Sequence, residues 1–359
     1  MRIKEENMIP IFIASTRSYS GKTFIALGLA MKLIRQGHKV GYIKPIGKTP
    51  QKKGSDVFDA DAVFIKEALS LPDPLNIISP FVLSYETQNL IFQGKVKDTR
   101  KQIMAAFKSL KSKDFVIIGG AADLFDGAIL NSDSLSLIED MKAQALIVES
   151  WAGDTSADSI FGAAHILGKR FIGGVINKVP VNSLNHVKDT VRPFLEKKGI
   201  KIFGVFQKDS VLESFTIRQL NDVLNGKVLC CEDKLDEFVE NFSIGAMDVD
   251  SALSYFRRIP NKAVITGAHR SDIQLAAMET STKCIVLTGG LYTNDVVLGK
   301  AQSKGIPIIS VTDDTFTTIS RIETIMGKTR LRGEGKIARA TELIAAEFDM
   351  KRFLKALKP

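Results

Sequence analysis

Three consecutive residues near the amino terminus, Gly21, Lys22 and Thr23, have the types and the order that phosphate chemistry requires. A lysine ammonium pairs with phosphate oxygens, a threonine hydroxyl ligates Mg²⁺, and a glycine lets the backbone approach a polyphosphate closely. They follow the apolar run Ile9–Ala14 and open an apolar-patterned helix predicted over residues 22–36. This strand–loop–helix order directs backbone N–H groups at an anion. The sequence therefore predicts a nucleotide site in which Lys22 reaches the β- and γ-phosphates and Thr23 ligates Mg²⁺.

The first half of the same loop departs from the general pattern G-x-x-x-x-G-K-[ST], because Thr16 stands at the position of the first glycine. The loop resembles that of dethiobiotin synthetase, which reads G-T-x-T-x-x-G-K-T, with Ser18 in place of the second threonine and Ser15 in place of the leading glycine. The resemblance implies ATP and Mg²⁺ as cofactors. It also implies nucleotide contacts by Thr16, Ser18 and Ser20 beside those of residues 21–23.

Lys44 follows the second predicted strand, in the segment Lys44-Pro45-Ile46-Gly47. The segment resembles the K-P-x-x-[TS]-G motif of the same family, whose lysine helps to bind the substrate and stabilises negative charge during carbamate phosphorylation. A lysine at the carboxyl end of a parallel strand faces the ligand crevice of such a sheet. The alternative is a surface lysine before a turn-forming proline. The resemblance makes Lys44, with Lys22, a candidate catalytic residue.

Two further polar residues match family positions. Asp61, in Asp59-Ala60-Asp61-Ala62, matches the Mg²⁺-associated aspartate, although acids in a first helical turn are also favoured by the helix dipole alone. Asn177, in Asn177-Lys178-Val179-Pro180, resembles the N-x-V-P segment that reads adenine, since an amide both donates to and accepts from a purine edge. Its alternative is a strand-ending asparagine in a turn.

One segment does not match. The family's Mg²⁺-binding glutamate lies in an E-G-A-G-G-like turn after a parallel strand, and Gly119 stands at the corresponding position here. Asp123 lies a few residues further on and is the nearest substitute carboxylate. The resemblance therefore implies nucleotide binding but leaves phosphoryl transfer without one of its acids.

Short apolar runs alternate with helical patterns, which favours an α/β fold with a parallel sheet flanked by crossover helices. We expect a nucleotide-binding domain over 1–210, a polar connecting segment over 211–245 and a smaller α/β domain over 246–359. The predicted strands are Ile9–Ala14, 39–44, Phe115–Gly119, 145–148, 171–176, 201–206, 263–266, 284–288 and 307–311. The predicted helices are 22–36, 60–70, 99–111, 133–142, 156–167, 182–197, 271–281, 295–303, Thr315–Met326 and 336–357.

The last third of the chain resembles the DRTGG domain. His269-Arg270-Ser271-Asp272 matches its D-R-[ST]-D start without the leading acid, and Thr288-Gly289-Gly290 follows an apolar run. Taken together, the two parts of the chain resemble the amino-terminal region of long bacterial phosphotransacetylases. The acetyl-transfer activity of those enzymes belongs to a separate carboxyl-terminal domain, which we expect this chain to lack. They imply a regulatory or ligand-sensing module. The glycine turns and Arg270 could bind a small anionic metabolite. The alternative, which the residues favour equally, is that the glycines only permit tight βα turns and that Arg270 lies in solvent.

Composition limits the remaining classes of function. The chain has 359 residues and a formal net charge of +9. Its basic residues are scattered among acids, with the densest group at Lys328, Arg330, Arg332, Lys336 and Arg339, and no nucleic-acid-binding motif accompanies them. We therefore expect anionic metabolites rather than nucleic acid as partners. No apolar run reaches membrane-spanning length, and three cysteines form no disulfide framework, so we expect a cytoplasmic protein. We also expect the protein to form a homo-oligomer.

Two classes of function remain open. The chain is either an ATP- and Mg²⁺-binding regulatory protein with a metabolite-sensing DRTGG domain, or an ATP-dependent carboxylate-activating ligase of the dethiobiotin or cobyrinate type. Gly119 favours the first class, because the ligase needs the missing carboxylate. Lys22, Thr23 and Lys44 keep the second class open, and whether the protein is an enzyme stays undecided at this point.

Overall fold

The computed structural model describes residues 8–96, 98–290, 292–326 and 334–357. Contacts divide the chain into two compact units, one made of residues 1–208 and 331–359 and the other of residues 209–330. The first stretch contains the strands β1 (Ile9–Ala14), β2 (Val40–Ile43), β3 (Ile46–Gly47), β4 (Pro50–Lys53), β5 (Asp56–Asp59), β6 (Phe81–Val82), β7 (Phe115–Gly119), β8 (Gln144–Ser150), β9 (Phe171–Val179) and β10 (Ile202–Gln207). Its helices are α1 (Lys22–Arg35), α2 (Ala60–Ala68), α3 (Leu75–Ile78), α4 (Tyr85–Phe92), α5 (Thr99–Ser109), α6 (Ser134–Asp140), α7 (Thr155–Leu167), α8 (Leu184–His186) and α9 (Arg192–Lys197).

A six-stranded parallel sheet in the order β10-β9-β8-β1-β7-β2 forms the core of the first unit. Its strands are apolar at successive positions because both faces are covered, as parallel sheets require. Phe12 and Ile118 face a cluster that includes Ile103 of α5 and Leu137 of α6. β1 lies between β7 and β8, so the loop that follows it opens at the middle of the carboxyl edge of the sheet. All six strands predicted for this unit are confirmed.

Two small ribbons border this sheet and were absent from the prediction. β3 pairs with β6 in parallel, and β4 forms an antiparallel hairpin with β5. The hairpin strands have almost no buried side chains, so their sequence carries no apolar alternation that would indicate a strand.

The second unit is a three-layer α/β structure. Its strands are β11 (Phe215–Thr216), β12 (Lys227–Cys230), β13 (Phe238–Val239), β14 (Asn241–Ile244), β15 (Lys262–Gly267), β16 (Thr282–Thr288) and β17 (Ile308–Ser310), and its helices are α10 (Ser210–Glu213), α11 (Ile217–Leu224), α12 (Val249–Phe256), α13 (Ser271–Met278), α14 (Asp295–Lys304) and α15 (Thr315–Met326). The sheet order is β12-β17-β16-β15-β14, parallel except for β12. Helices α12, α13 and α14 contribute to one core cluster, and α11 and α15 to the other.

The segment expected to connect two domains is itself folded. Within residues 211–245, β12 and β14 form the two edges of the second sheet, and α11 packs in one of its cores. The expected boundary was misplaced because edge strands as short and mixed as β14, Asn-Phe-Ser-Ile, show little periodicity.

The closing helical pattern also belongs elsewhere than expected. It forms α16 (Glu334–Glu347) and α17 (Met350–Ala356), and both belong to the first unit rather than to the second. Ile344 packs against Gly28 of α1, and Phe348 and Phe353 pack on Phe203 of β10. Helical periodicity shows that one face must be buried but does not say against which surface. The second unit is therefore an insertion between β10 and α16.

The basic group near the carboxyl terminus is only partly described. Lys328, Arg330 and Arg332 lie outside the described residues. Lys336 is buried, and Arg339 donates to Glu342 on the same helix.

Candidate nucleotide site

The phosphate-loop sequence forms a compact turn between β1 and α1. Gly21 has a φ of 94°, in the left-handed region that a glycine adopts without strain, and precedes the first turn of α1. As the N-cap residue, Gly21 has no side chain that could cap that helix end. A fourteen-residue helix with an uncapped amino terminus presents its first N–H groups, and the positive end of its dipole, to an anion.

Lys22 lies inside this loop. Its Nζ donates to Ser15 Oγ at 2.5 Å and to the Ala122 carbonyl at 2.8 Å. Burial, followed by the nearby ammonium of Lys44, lowers the pKa of Lys22 to about 7, although Asp123 and other acids oppose the change. The ammonium therefore gains from an added anion, which a phosphate supplies.

Thr23, Asp61 and Lys44 meet beside the loop. Thr23 Oγ1 donates to Asp61 Oδ2 at 3.3 Å, and Lys44 Nζ lies 2.9 Å from the same oxygen. Burial disfavours the charge on Lys44, but the carboxylates of Asp61 and Asp59 outweigh it and hold the pKa of Lys44 above its ordinary value. The three residues named from separate motifs thus form one charged cluster at the loop.

Asp59 has a different role. Its carboxylate is fully buried, caps α2 by accepting from Asp61 and Ala62 N–H, and also accepts from the backbone of Lys48 and Thr49. These bonds fix the loop after β3 to the start of α2. Asp59 therefore orients the element that carries Asp61.

The space beside position 119 is occupied by another side chain. A Cβ on Gly119 would lie 2.4 Å from the hydroxyl oxygen of Tyr42, which is 1 % exposed. Asp123, the nearest acid in sequence, uses its Oδ1 to accept from the N–H groups of Phe125 and Asp126. Its carboxylate thus closes its own turn, and the position of the missing glutamate is filled by the Tyr42 side chain.

Glu149 and Arg17 are site residues that the sequence reasoning missed. Glu149 is at the carboxyl end of β8, and its side chain is 0 % exposed. Thr16 Oγ1 donates to its Oε2 at 2.5 Å, and Arg17 Nε lies 2.8 Å from its Oε1. Burial raises the pKa of Glu149, whereas the Thr16 hydroxyl and the Arg17 guanidinium oppose that rise. An acid at the end of a central parallel strand was the available signal.

The remaining candidate contacts divide between exposed and buried side chains. Ser18 is exposed on the outer part of the loop, whereas Ser20 is buried and donates to the Arg17 carbonyl. Asn177 is 6 % exposed, and its Nδ2 donates to the Ser20 carbonyl at 2.9 Å. A Cβ on Gly21 would lie 2.1 Å from that nitrogen, so only glycine fits there. Ser20 and Asn177 thus support the loop backbone.

In the second unit, the carboxyl ends of the parallel strands are closed by internal bonds. The Arg270 guanidinium donates to Asp272 and to the Met247 carbonyl. Gly289 and Gly290 have φ angles of 92° and 71°, and their N–H groups donate to carbonyls of the loop that follows β17. An anion bound here has to displace these contacts.

Within the described residues, no group of three or more His, Cys, Asp or Glu side chains is arranged to hold a metal ion. No helix among them is both long and apolar enough to cross a membrane. Thr23 Oγ1 and Asp61 Oδ2 form a pair of protein oxygens beside the loop, 3.3 Å apart. This small set suits Mg²⁺ in nucleotide sites, which keeps one or two protein ligands and takes the rest from phosphates and water.

Comparison with known proteins agrees with this division of the chain. The AAA domain family model matches residues 10–216, and the DRTGG domain model matches residues 219–325. The boundary between the two matches lies close to the point where the structure passes from the first unit to the second.

Two curated relatives match nearly the whole of this chain, and a third matches part of it. A phosphate acetyltransferase from Synechocystis sp. is 22% identical over 366 residues, which is 97% of this chain and 52% of that protein, and one from Nitratidesulfovibrio vulgaris is 25% identical over 94% of this chain and 50% of that protein. The chain spans about half the length of these curated relatives. An ATP-dependent dethiobiotin synthetase from Nitrosopumilus maritimus is 30% identical over 39% of this chain and 63% of that protein.

Solved structures resemble each part more distantly. The cell division ATPase MinD of Pyrococcus furiosus is 18% identical, covers 57% of this chain and 86% of its own, and has a TM-score of 0.38. The CBS and DRTGG domains of a Clostridium perfringens pyrophosphatase, complexed with diadenosine tetraphosphate, are 20% identical over 32% of this chain and 46% of that chain, with a TM-score of 0.26.

Proposed function

We propose that this chain, which belongs to the AAA domain family, binds ATP with Mg²⁺ in the loop from Thr16 to Thr23 and that its DRTGG domain regulates or reports on that binding. The observation that carries the proposal is the position of Lys22. Its ammonium is held inside the loop by two neutral oxygen acceptors, Ser15 Oγ and the Ala122 carbonyl. Phosphate oxygens are stronger acceptors for an ammonium than these groups, because they carry charge.

Thr23 and Asp61 fit Mg²⁺ at the same loop. Their oxygens are 3.3 Å apart, and Asp61 is held in place by the cap that Asp59 gives to α2. When bound, Mg²⁺ neutralises phosphate charge. Lys44 shares the Asp61 carboxylate, so its ammonium is positioned where further negative charge on the ligand is stabilised.

Asn177 is proposed to serve both the loop and the base. Its Nδ2 is committed to the Ser20 carbonyl, which leaves Oδ1 to accept from the amino group of adenine. A guanine, which presents a carbonyl at that position, would place an acceptor against an acceptor. We expect ATP to bind more tightly than GTP for this reason.

The binding proposal is tested by titration calorimetry of the full chain with Mg²⁺–ATP. Lys22→Ala removes a charge-assisted contact worth about 1.5–3 kcal/mol and is expected to weaken binding about tenfold or more. Lys32→Ala is the matched control, because it removes the same charge from the last turn of the same helix. Equal affinities of wild type and Lys22→Ala would refute the proposal.

A second candidate is an ATP-dependent ligase that activates a carboxylate. Lys22 in the loop and the cluster of Thr23, Asp61 and Lys44 beside it favour the ligase. The lack of a carboxylate at Gly119 opposes it, since phosphoryl transfer depends on positioned charge. We expect at most slow hydrolysis of ATP. A turnover assay with diaminopelargonic acid, bicarbonate and Mg²⁺–ATP decides between the two, and robust dethiobiotin formation would establish the ligase.

For the second unit, we propose a small anionic metabolite as ligand, bound where β15 and β16 end. Arg270 supplies the cation, and the Gly289–Gly290 turn allows close approach of the backbone. Binding has to release Arg270 from Asp272, so the acid acts as a competitor. We further propose that the protein is a cytoplasmic homo-oligomer. Native mass spectrometry of the purified chain measures both the retained ligand and the number of subunits.

A further inference from the structure

The carboxylate of Glu149 is unusual because it lies beneath the loop for which phosphate binding is proposed above. The side chain is 0 % exposed, and its Oε2 accepts from Thr16. Its Oε1 is buried and makes no aligned hydrogen bond with any described residue, although Arg17 Nε lies only 2.8 Å away. A buried carboxylate with an incomplete set of donors is costly in free energy.

The compensation for the charge of Glu149 comes from the loop, whose Thr16 also directs its backbone N–H at the carboxylate. The charged groups that act on it are Arg17 and Lys22, both on the loop. Its register neighbour on β9 is the apolar Ile176, and on α7 the hydroxyl of Ser159 accepts from Arg17. The acid is therefore neutralised by the same loop that, in the function proposed above, has to neutralise phosphate.

We propose that Glu149 is the internal counter-ion of the phosphate loop, that nucleotide phosphates compete with it for Thr16 and Arg17, and that the guanidinium of Arg17, once released, makes the site prefer the more highly charged nucleotide. The inference rests on the proposed nucleotide binding and specifies how the loop chooses its ligand. A carboxylate and a phosphate oxygen accept from the same hydroxyl and guanidinium donors. Each added negative charge of the ligand raises its repulsion from an ionised Glu149, which uptake of a proton by that carboxylate relieves, and it strengthens the attraction between the ligand and the released Arg17.

The direction of the effect follows from charge. Glu149→Gln keeps the size of the side chain and an oxygen for the Thr16 hydroxyl, but it removes one buried negative charge and frees Arg17. At the distances within such a loop, one unit of charge changes the affinity for a polyphosphate about tenfold. The wild-type carboxylate also takes up a proton when phosphates approach, so acid pH should strengthen binding in the wild type more than in the variant.

The test measures affinities for Mg²⁺–ATP and Mg²⁺–ADP by calorimetry at pH 6 and pH 8. Glu149→Gln should tighten ATP binding about tenfold and flatten the pH dependence. Arg17→Gln should weaken ATP binding and reduce the ratio of ATP affinity to ADP affinity. Glu139→Gln is the matched control, because it removes an acid from an exposed pair with Arg170 on the same unit and should change neither quantity.

Unchanged or weaker binding by Glu149→Gln, with a folded protein, would overturn the counter-ion role and assign Glu149 to support of the loop alone. An Arg17→Gln variant with an unchanged ATP-to-ADP ratio would also overturn it. Circular dichroism and the fluorescence of Trp151, the only tryptophan, verify that each variant is folded. If wild type and all variants fail to bind either nucleotide, the proposed function itself is refuted, and the two failures are thereby distinguished.

Discussion

Replacing Gly28 with alanine tests whether α16 packs on the helix of the phosphate loop. Gly28 is in the middle of α1, and a Cβ there would lie 2.3 Å from Cγ1 and 3.0 Å from Cβ of Ile344 on α16. Ile344 is 1 % exposed and has little room to move. Both distances are shorter than ordinary carbon contacts, so one helix has to shift.

Two opposing terms decide the magnitude. Alanine stabilises a helix interior by about 1 kcal/mol relative to glycine. Overpacking of a tight core contact costs about 1–3 kcal/mol. We therefore expect Gly28→Ala to lower the free energy of unfolding of the first unit by about 0–2 kcal/mol. Gly162→Ala on α7 is the matched control, because no atom lies within 4 Å of its new Cβ, and it should raise the free energy of unfolding by about 1 kcal/mol.

Urea unfolding followed by the fluorescence of Trp151 measures this, since that tryptophan belongs to the first unit. A double-mutant cycle completes the test. Ile344→Ala alone should cost about 2–5 kcal/mol, and it should cost less in the Gly28→Ala background, because the new methyl group partly fills the space. If Gly28→Ala stabilises the protein as much as Gly162→Ala does, the packing of Ile344 on Gly28 is refuted.

Three further substitutions give distinct outcomes. Burial lowers the pKa of Lys262 to about 8, so between pH 8 and 10.5 the unfolded chain binds more protons than the folded chain. The free energy of unfolding should therefore rise by about 2–3 kcal/mol over that range. Urea titrations of Lys262→Met should show no such rise. Gly119→Glu should destabilise the first unit by about 1–3 kcal/mol, because the new side chain collides with Tyr42, and it should not create ATP hydrolysis. A stable variant that hydrolyses ATP would contradict this. Asp59→Ala should cost about 2–4 kcal/mol in thermal or urea unfolding, since it leaves several buried N–H donors without their acceptor, and a loss below 1 kcal/mol would refute the structural role.

The local sequence was sufficient to predict the central strands of the first sheet and the helix that follows the phosphate loop. The bounds of Ile9–Ala14 and Phe115–Gly119 were predicted as the structure has them, because a fully buried parallel strand is a short apolar run with a clear start and end. The helix after the loop was equally clear from its apolar spacing and from Gly37 at its end. That Lys22 and Thr23 belong to one site could be predicted because they are neighbours in the chain.

Relations between distant segments needed the tertiary structure. The sequence contained the acid Glu149, but only the neighbouring positions of β8 and β1 place it under Thr16 and Arg17. Likewise, Lys44 and Asp61 were separate candidates until the structure joined them in one ion pair. Such contacts depend on strand order, which the periodicity of a single strand does not encode.

The amino-acid sequence by itself determined the α/β class, the six strands of the first sheet and the loop that faces phosphate, because each depends on apolar spacing or turn chemistry within about fifteen residues. Only the tertiary structure decided that residues 209–245 complete the second sheet, that α16 returns to α1, and that Tyr42 fills the space beside Gly119. The physical reason is that an apolar face has to be buried, whereas which surface buries it is settled by the packing of the whole unit.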